Sequence, residues 1–223
     1  MNSHAAGPPV VQPESFEFTP ENLDRAKVHI AKYPPGRQQS AVLPLLDLAQ
    51  RQSGGWLPQA AMHCVAEMLG MPRIRVYEVA TFYTMFNLRP VGRYFLQACT
   101  TTPCWLRGSD AVVAACEKKL GIGIGGTTAD GLFTLVEVEC LGACVNAPIL
   151  QVNDDFYEDL DGPATEALLD ALSAGKPPPR GSVIGRGGSA PITGKTTLME
   201  PPLPPAMQAA LQPGDAGEKT DAG

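Results

Sequence analysis

The sequence lacks the features that mark several large classes of protein. No apolar run in its 223 residues approaches the roughly 18 residues that span a bilayer. The first 19 residues contain no Lys or Arg and no apolar core, so they resemble neither a secretory signal nor an organelle presequence. The net charge is −6, and no basic patch interleaved with aromatic residues is present, which argues against nucleic-acid binding. We therefore expect a cytoplasmic protein.

Motifs for common redox and nucleotide cofactors are also missing. The chain has no G-x-G-x-x-G in a strand–helix setting, so any NADH or flavin is expected on a partner. It has no C-x2-C, the spacing that a thioredoxin-type redox site requires. The stretch from Gly188 to Thr196 resembles a phosphate-binding loop but has five residues between its glycines instead of four. We expect no nucleotide site there.

What the chain does contain is six cysteines, four of them in two close pairs. Cys99 and Cys104 form C-x4-C, and Cys140 and Cys144 form C-x3-C. In a reducing cytoplasm such residues are expected to be thiols or metal ligands and not disulfides. Four thiolates suit a [2Fe–2S] cluster, which takes two per iron, and they also suit structural zinc. Spacing alone leaves iron–sulfur, zinc and metal-free thiols open.

The N-terminal part shows four helical patterns. The first begins at Thr19-Pro20-Glu21, with Thr19 as its cap. These patterns predict a helical bundle over residues 20–91, after a flexible N-terminus over 1–19. An aromatic run near the end of the bundle is expected to lie in the core, with a partner surface as the alternative: Phe82, Tyr83, Met85 and Phe86. The predicted helices span 20–33, 40–52, 58–69 and 72–83.

The pattern changes to alternating strands and helices over residues 92–178. A helix beginning with Ser109 as its N-cap follows the first strand. The order β-α-β-β-β-α suits an α/β fold of the thioredoxin-like kind. Residues 179–223, rich in Pro and Gly, are expected to be an extended or disordered tail. The predicted strands are 94–98, 133–139, 148–152 and 156–160, and the helices are 109–120 and 164–174.

Each cysteine pair follows a predicted strand, so two loops at one sheet edge can converge. Small or hydroxylated residues in both loops allow hydrogen-bond donors to approach the sulfurs. Cys64 and Cys116 lie on helical patterns and are expected to be packing residues. Three arginines flank the first loop, and a role facing the cluster or an acidic partner is as reasonable as a solvated one: Arg89, Arg93 and Arg107.

Several long motifs together resemble one family. CTTTPC, VEVECLGACVNAP and FYEDL, with GRQQSAVLPLL, GWLP and VATFYTMF before them, look like the thioredoxin-like [2Fe–2S] subunit of respiratory NADH–quinone oxidoreductase, complex I. The resemblance covers about residues 16–180. It implies a thioredoxin-like [2Fe–2S] ferredoxin domain preceded by an N-terminal helical bundle. The ligands it implies for the cluster are Cys99, Cys104, Cys140 and Cys144.

The resemblance also implies an electron-transfer role inside a larger assembly. In that family the subunit packs beside the subunit that binds FMN and NADH, among other peripheral-arm subunits. It has no complete active site alone, no nucleic-acid partner and no direct membrane insertion. The complex holds it at the cytoplasmic side of a bacterial inner membrane. One alternative is the equivalent diaphorase subunit of a NAD-linked hydrogenase or formate dehydrogenase. Another, of a different class, is a zinc-stabilised, non-redox interaction domain.

Overall fold

A computed structural model describes residues 10–191, 193 and 194 of the chain. Part of the predicted flexible N-terminus, most of the predicted tail and the end of the glycine-rich stretch at 195–196 lie outside these residues. The chain divides into two compact units, Met1–Ile184 and Gly185–Gly223. The helices and strands described below belong to the first. In the second, the Arg186 Nη1 atom donates a hydrogen bond of 3.3 Å to the Ala190 carbonyl.

Four helices form the N-terminal part, as the sequence predicted. They are α1 (Pro20–Ala31), α2 (Val42–Gln52), α3 (Gln59–Leu69) and α4 (Arg73–Phe82), and a 3₁₀ turn, Gln38–Ala41, leads into α2. The Thr19 hydroxyl accepts a hydrogen bond from the Asn22 N–H at 3.3 Å, which confirms the predicted cap of α1. Gly70 ends α3 with φ of +60°, a conformation that glycine adopts at little cost.

One apolar core joins these helices, and Gln52 ties the chain before α1 to them. Leu45, Leu46 and Val65 are fully buried in this core. The side chain of Gln52 donates to the Glu17 carbonyl at 2.7 Å and accepts from the Thr19 N–H at 3.0 Å. The segment before α1 is therefore fixed by backbone hydrogen bonds as well as by packing.

A five-stranded mixed sheet follows, with strand order β2-β1-β3-β4-β5. Strand β1 pairs in parallel with β2 and antiparallel with β3, β3 pairs antiparallel with β4, and β4 pairs in parallel with β5. Because β1 and β2 are parallel, a helical crossover must connect them. The strands are Tyr94–Cys99, Phe133–Val138, Leu150–Val152, Asp155–Glu158 and Gly181–Ser182, and the helices are α5 (Thr102–Leu106), α6 (Ser109–Leu120) and α7 (Gly162–Ser173).

Side chains of the sheet and of α6 and α7 form a second apolar core. Leu96, Leu135 and Leu150 from the strands are fully buried with Leu169 and Leu172 from α7. Asp161 caps α7, where its carboxylate accepts from the Ala164 N–H at 2.8 Å. Helices on a mixed sheet confirm the predicted α/β, thioredoxin-like class.

Two predictions about the cluster region are wrong in detail. The sequence predicted a loop at Cys104, but this residue lies on a short helix, α5. A single helical turn is too short to leave a periodic pattern in the sequence, so the helix was not predicted. Gly108, with φ of +94°, precedes α6 at the N-cap position, and Ser109 is the first helical residue. The buried hydroxyl of Ser109 has no hydrogen-bond partner among the described residues and therefore caps nothing.

One further prediction fails outside that region, and one short strand was not predicted. Of the aromatic run, Phe86 alone is buried, and Phe82, Tyr83 and Met85 are exposed. A short strand, β5, falls inside the predicted tail and pairs with β4. The pairing is set by the tertiary position of β4, which local sequence does not encode.

Candidate metal centre

The first cysteine pair belongs to regular, buried structure. Cys99 is the last residue of β1, and Cys104 lies in α5, and each is 1% exposed. The Cys99 N–H donates to the Ile149 carbonyl at 3.3 Å, which ties this end of β1 to the chain before β3. Ala147 and Ile149 pack against both cysteines as a small apolar cluster. Folding of the sheet therefore positions this pair.

The second pair lies on an exposed turn directly after β2. Cys140 is exposed, and Cys144 is half-buried at the start of a 3₁₀ turn, Cys144–Asn146. Gly142 between them has φ of +80°, a left-handed conformation that favours glycine. Its N–H donates to the Cys140 sulfur at 3.4 Å. The backbone of the turn thus lies close to the Cys140 sulfur and donates a hydrogen bond to it.

The parallel register brings both pairs to one end of the sheet. Cys99 lies opposite Val138, so β1 and β2 end at the same level. The Leu141 N–H donates to the Cys99 sulfur, a hydrogen bond from the second loop to the first. The Thr101 hydroxyl, on the first loop, contacts the sulfurs of Cys99 and Cys140. The predicted convergence of the four cysteines is therefore present.

The sulfurs are arranged as two couples. Those of Cys140 and Cys144 are 3.3 Å apart, and those of Cys99 and Cys104 are in hydrogen-bonding contact. Two thiolates on one tetrahedral metal, with bonds of about 2.3 Å, lie about 3.8 Å apart, so each couple needs only a small opening. Among the described residues no group of three or more His, Cys, Asp or Glu is placed to hold one ion. Two couples of thiols match the ligand set of a [2Fe–2S] cluster, which takes two thiolates per iron.

Within the first couple the two thiols differ in acidity. Burial raises the pKa of Cys99, but hydrogen bonds from the Thr101 hydroxyl and from the N–H groups of Leu141 and Thr101 outweigh it and leave that pKa lowered. Burial, with the hydrogen bond to Cys99, raises the pKa of Cys104 to about 12. Cys99 is therefore the more acidic thiol of the two.

The second couple repeats this asymmetry. The Gly142 N–H, followed by the hydrogen bond from Cys144, lowers the pKa of Cys140. The hydrogen bond to Cys140, followed by burial, raises the pKa of Cys144. Each couple thus pairs one thiol whose pKa is lowered with one whose pKa is raised.

The other residues singled out in the sequence lie elsewhere. Cys116 is buried in the sheet core, and Cys64 packs half-buried against the core of the bundle. Burial raises the pKa of both thiols, that of Cys116 to about 12. Arg93 lies over the Tyr94 ring, 5.5 Å from its centroid, in the range of a cation–π contact. Arg107 is exposed after α5.

Sequence reasoning missed an apolar surface beside the cysteines. Trp105 and Leu106 on α5 are 57% and 71% exposed, and Val145, next to Cys144, is 61% exposed. Large apolar side chains exposed around a functional loop commonly mark an interaction site. Their position became visible only with α5, which the sequence pattern did not reveal.

The thioredoxin-like fold and the paired thiols are typical of an iron–sulfur ferredoxin, and the comparisons with known proteins agree with this class. Residues 26–173 match the model of the thioredoxin-like [2Fe-2S] ferredoxins, and the chain belongs to this family. It is similar to a subunit of the NADH-quinone oxidoreductase of Rickettsia conorii, with 61% identity over 158 residues, which cover 71% of this chain and 95% of that protein. It is 54% identical over 196 residues to the mitochondrial NADH dehydrogenase [ubiquinone] flavoprotein 2 of Dictyostelium discoideum, covering 88% and 79% of the two chains.

A solved structure shares the fold. An NAD⁺-reducing [NiFe]-hydrogenase in the air-oxidized state superposes with a TM-score of 0.53 at 24% identity, over 60% of this chain and 23% of that one. At this identity the likeness concerns the fold alone. Within the described residues, no helix is long and apolar enough to cross a membrane.

Proposed function

We propose that this chain is an electron-transfer subunit of an NADH:quinone oxidoreductase and carries one [2Fe–2S] cluster. Its ligands are Cys99, Cys104, Cys140 and Cys144. When bound, the cluster supplies reversible one-electron transfer. The observation that carries the proposal is the meeting of four thiols, as two couples, at one end of the sheet in a chain of this family.

The surrounding residues hold the ligands and balance their charge. The buried couple, packed on Ala147 and Ile149, keeps water from one side of the centre. N–H groups of Leu141 and Gly142 donate to the sulfurs of Cys99 and Cys140 and stabilise negative charge there. Cys140, being exposed, gives the centre an open side toward a partner.

The partner in this proposal is the subunit that binds FMN and NADH, among other peripheral-arm subunits of the same complex. Two of the relatives are named as parts of NADH dehydrogenases, and the exposed Trp105, Leu106 and Val145 lie beside the cysteines. Electron transfer requires the centres of two proteins to approach closely, so docking should occur at this open side. The complete active site then belongs to the complex. The complex also holds the chain at the cytoplasmic face of the membrane.

The second candidate is the equivalent diaphorase subunit of a NAD-linked hydrogenase. The shared fold with an NAD⁺-reducing hydrogenase favours it. The high identity to oxidoreductase subunits over almost their full length favours the first candidate. Neither the family nor the arrangement in couples supports a zinc-stabilised interaction domain.

The test is to purify the full chain together with whatever subunits accompany it. We expect a brown protein with about two irons and two acid-labile sulfides per chain and an EPR signal on reduction. A flavin-containing subunit that oxidises NADH should co-purify. Colourless protein with one bound zinc would overturn the proposal. Co-purification with a nickel–iron subunit would favour the hydrogenase candidate instead.

A further inference from the structure

Three successive threonines in the first cysteine loop have different surroundings. The Thr100 hydroxyl donates to the Glu137 carboxylate, away from the sulfurs. Thr102 is exposed at the start of α5. The Thr101 hydroxyl lies 3.3 Å from the Cys99 sulfur and also contacts the sulfur of Cys140. One of the three is therefore directed into the cysteine cluster.

The position of Thr101 in α5 makes this direction unusual. Thr101 is the N-cap residue of that helix, and its carbonyl accepts the Trp105 N–H at 2.9 Å. A threonine at this position normally turns its hydroxyl to a backbone N–H of the first turn. Here the side chain makes no cap hydrogen bond. The local stabilisation that a cap would give is forgone, and the hydroxyl is available to sulfur.

Thr101 also links the two halves of the site. It belongs to the first loop, and its own N–H donates to Cys99, yet its hydroxyl reaches a sulfur of the second loop. Because each couple fits one iron, this hydroxyl lies between a ligand of one iron and a ligand of the other. A single side chain can therefore act on the electron density of both sulfur ligands.

We propose that Thr101 is a positioning residue that raises the electron affinity of the cluster by donating a hydrogen bond from its hydroxyl to the Cys99 or Cys140 sulfur. The inference rests on the proposed function, because it requires these cysteines to be ligands. One-electron reduction takes a [2Fe–2S] centre with four thiolates from a charge of −2 to −3. A donor at sulfur stabilises the more negative form more strongly, so it favours reduction.

The experiment compares Thr101→Val with Thr101→Ser and Thr102→Val in the full chain carrying its cluster. Valine keeps the shape of threonine and removes the hydroxyl, and serine restores it. The midpoint potential is measured by EPR-monitored titration with dithionite and mediators. For Thr101→Val we expect the equilibrium constant for reduction to fall about tenfold, which lowers the midpoint potential by about 59 mV for one electron. Thr101→Ser should restore most of this shift, and Thr102→Val should leave the potential unchanged.

A merely structural role would lower the iron content without moving the potential of the clusters that remain, and that result would overturn the inference. So would an equal shift in Thr102→Val. If the Thr101→Val chain does not accumulate with its cluster, Thr101→Ala carries the same expectation and the same criterion. A wild-type chain with no [2Fe–2S] signal would overturn the proposed function and this inference with it. An unshifted potential in a loaded Thr101→Val chain would overturn this inference alone.

Discussion

The two cysteine pairs meet at one end of the sheet but belong to different kinds of structure. Cys99 and Cys104 are buried and belong to a strand and a helix, whereas Cys140 and Cys144 lie on an exposed or half-buried turn. Apolar packing holds the first pair. A left-handed glycine and backbone N–H groups shape the second. Half of this site is thus an extension of the core, and the other half depends on local backbone geometry.

The largest expected effect comes from replacing each cysteine by serine, which tests the contrast between the buried and the exposed pair. Serine at any of the four sites removes a thiolate, so we expect the cluster to be lost or its visible and EPR spectra to change. At the buried Cys99 and Cys104, a hydroxyl is more polar than a thiol and costs more to bury beside Ala147 and Ile149, so the free energy of unfolding should also fall by about 1–3 kcal/mol. At Cys140, which is exposed, the metal-free chain should lose little stability. Spectra and urea denaturation measure the two effects.

Cys116→Ser and Cys64→Ser are the matched controls. Both should leave the spectrum unchanged, because these thiols lie in the cores of the sheet and the bundle. An unchanged spectrum in Cys140→Ser or Cys144→Ser would show that the exposed turn supplies no ligand. The proposed ligand set would then be wrong.

A smaller effect should separate the supports of the two pairs. Ile149→Ala removes a side chain that is 2% exposed under the first pair, and we expect it to lower the free energy of unfolding by about 2–5 kcal/mol. Val145→Ala, beside the second pair, trims an exposed side chain and should change it by less than about 0.5 kcal/mol. Urea denaturation of the metal-free chain measures both. Similar losses in the two variants would contradict the contrast in packing.

The smallest effect concerns the ion pair that attaches the turn after β3 to helix α2. Arg51 donates to both carboxylate oxygens of Asp154, at 2.8 and 3.1 Å, and to Asp47 at 2.9 Å. Both partners are largely exposed, so Arg51→Ala should lower the free energy of unfolding by about 0.2–1 kcal/mol at neutral pH. Lys27→Ala, which breaks a pair within α1, is the control and should cost no more than about 0.5 kcal/mol.

The loss in Arg51→Ala should depend on pH in a defined direction. The hydrogen bond from Arg51 lowers the pKa of Asp154 below its ordinary value of about 3.9. The stabilisation is therefore fully present above that value and disappears as the pH falls through the lowered pKa. Denaturation at pH 7 and at pH 2–3 should show the difference between wild type and Arg51→Ala shrinking. A difference that persists at the lower pH would mean that the arginine acts through packing of its stem.

Sequence patterns predicted the elements with a periodic apolar pattern and the helix ends marked by a capping residue or a glycine. The cap at Thr19, the stop at Gly70 and the strands that precede Cys99 and Cys140 all follow from local rules, and the structure confirms them. The convergence of the cysteines followed from strands that end at one sheet edge. These features depend on neighbours within a few residues or on the general geometry of sheets.

What could not be predicted depends on contacts made across the fold. Periodicity in α4 did not show that Phe82 would remain uncovered, because a helical face says nothing of whether another element packs on it. The single turn α5 and the two-residue β5 are too short to leave a pattern. The direction of the Thr101 hydroxyl depends on the backbone of α5. It therefore became apparent only with the structure.

The register between β1 and β2 has a consequence for how this site tolerates change. Cys99 lies opposite Val138 in a ladder of hydrogen bonds, and this ladder fixes the separation of the two halves of the site. The residues before β2 are tied to the same sheet, because the Gly125 N–H donates to the Leu135 carbonyl and the Leu135 N–H donates to the Gly126 carbonyl. A slip of one residue in the ladder would displace one half by about 3.3 Å, more than an inorganic core of fixed size can absorb. An insertion inside either strand would therefore move one cysteine pair away from the other.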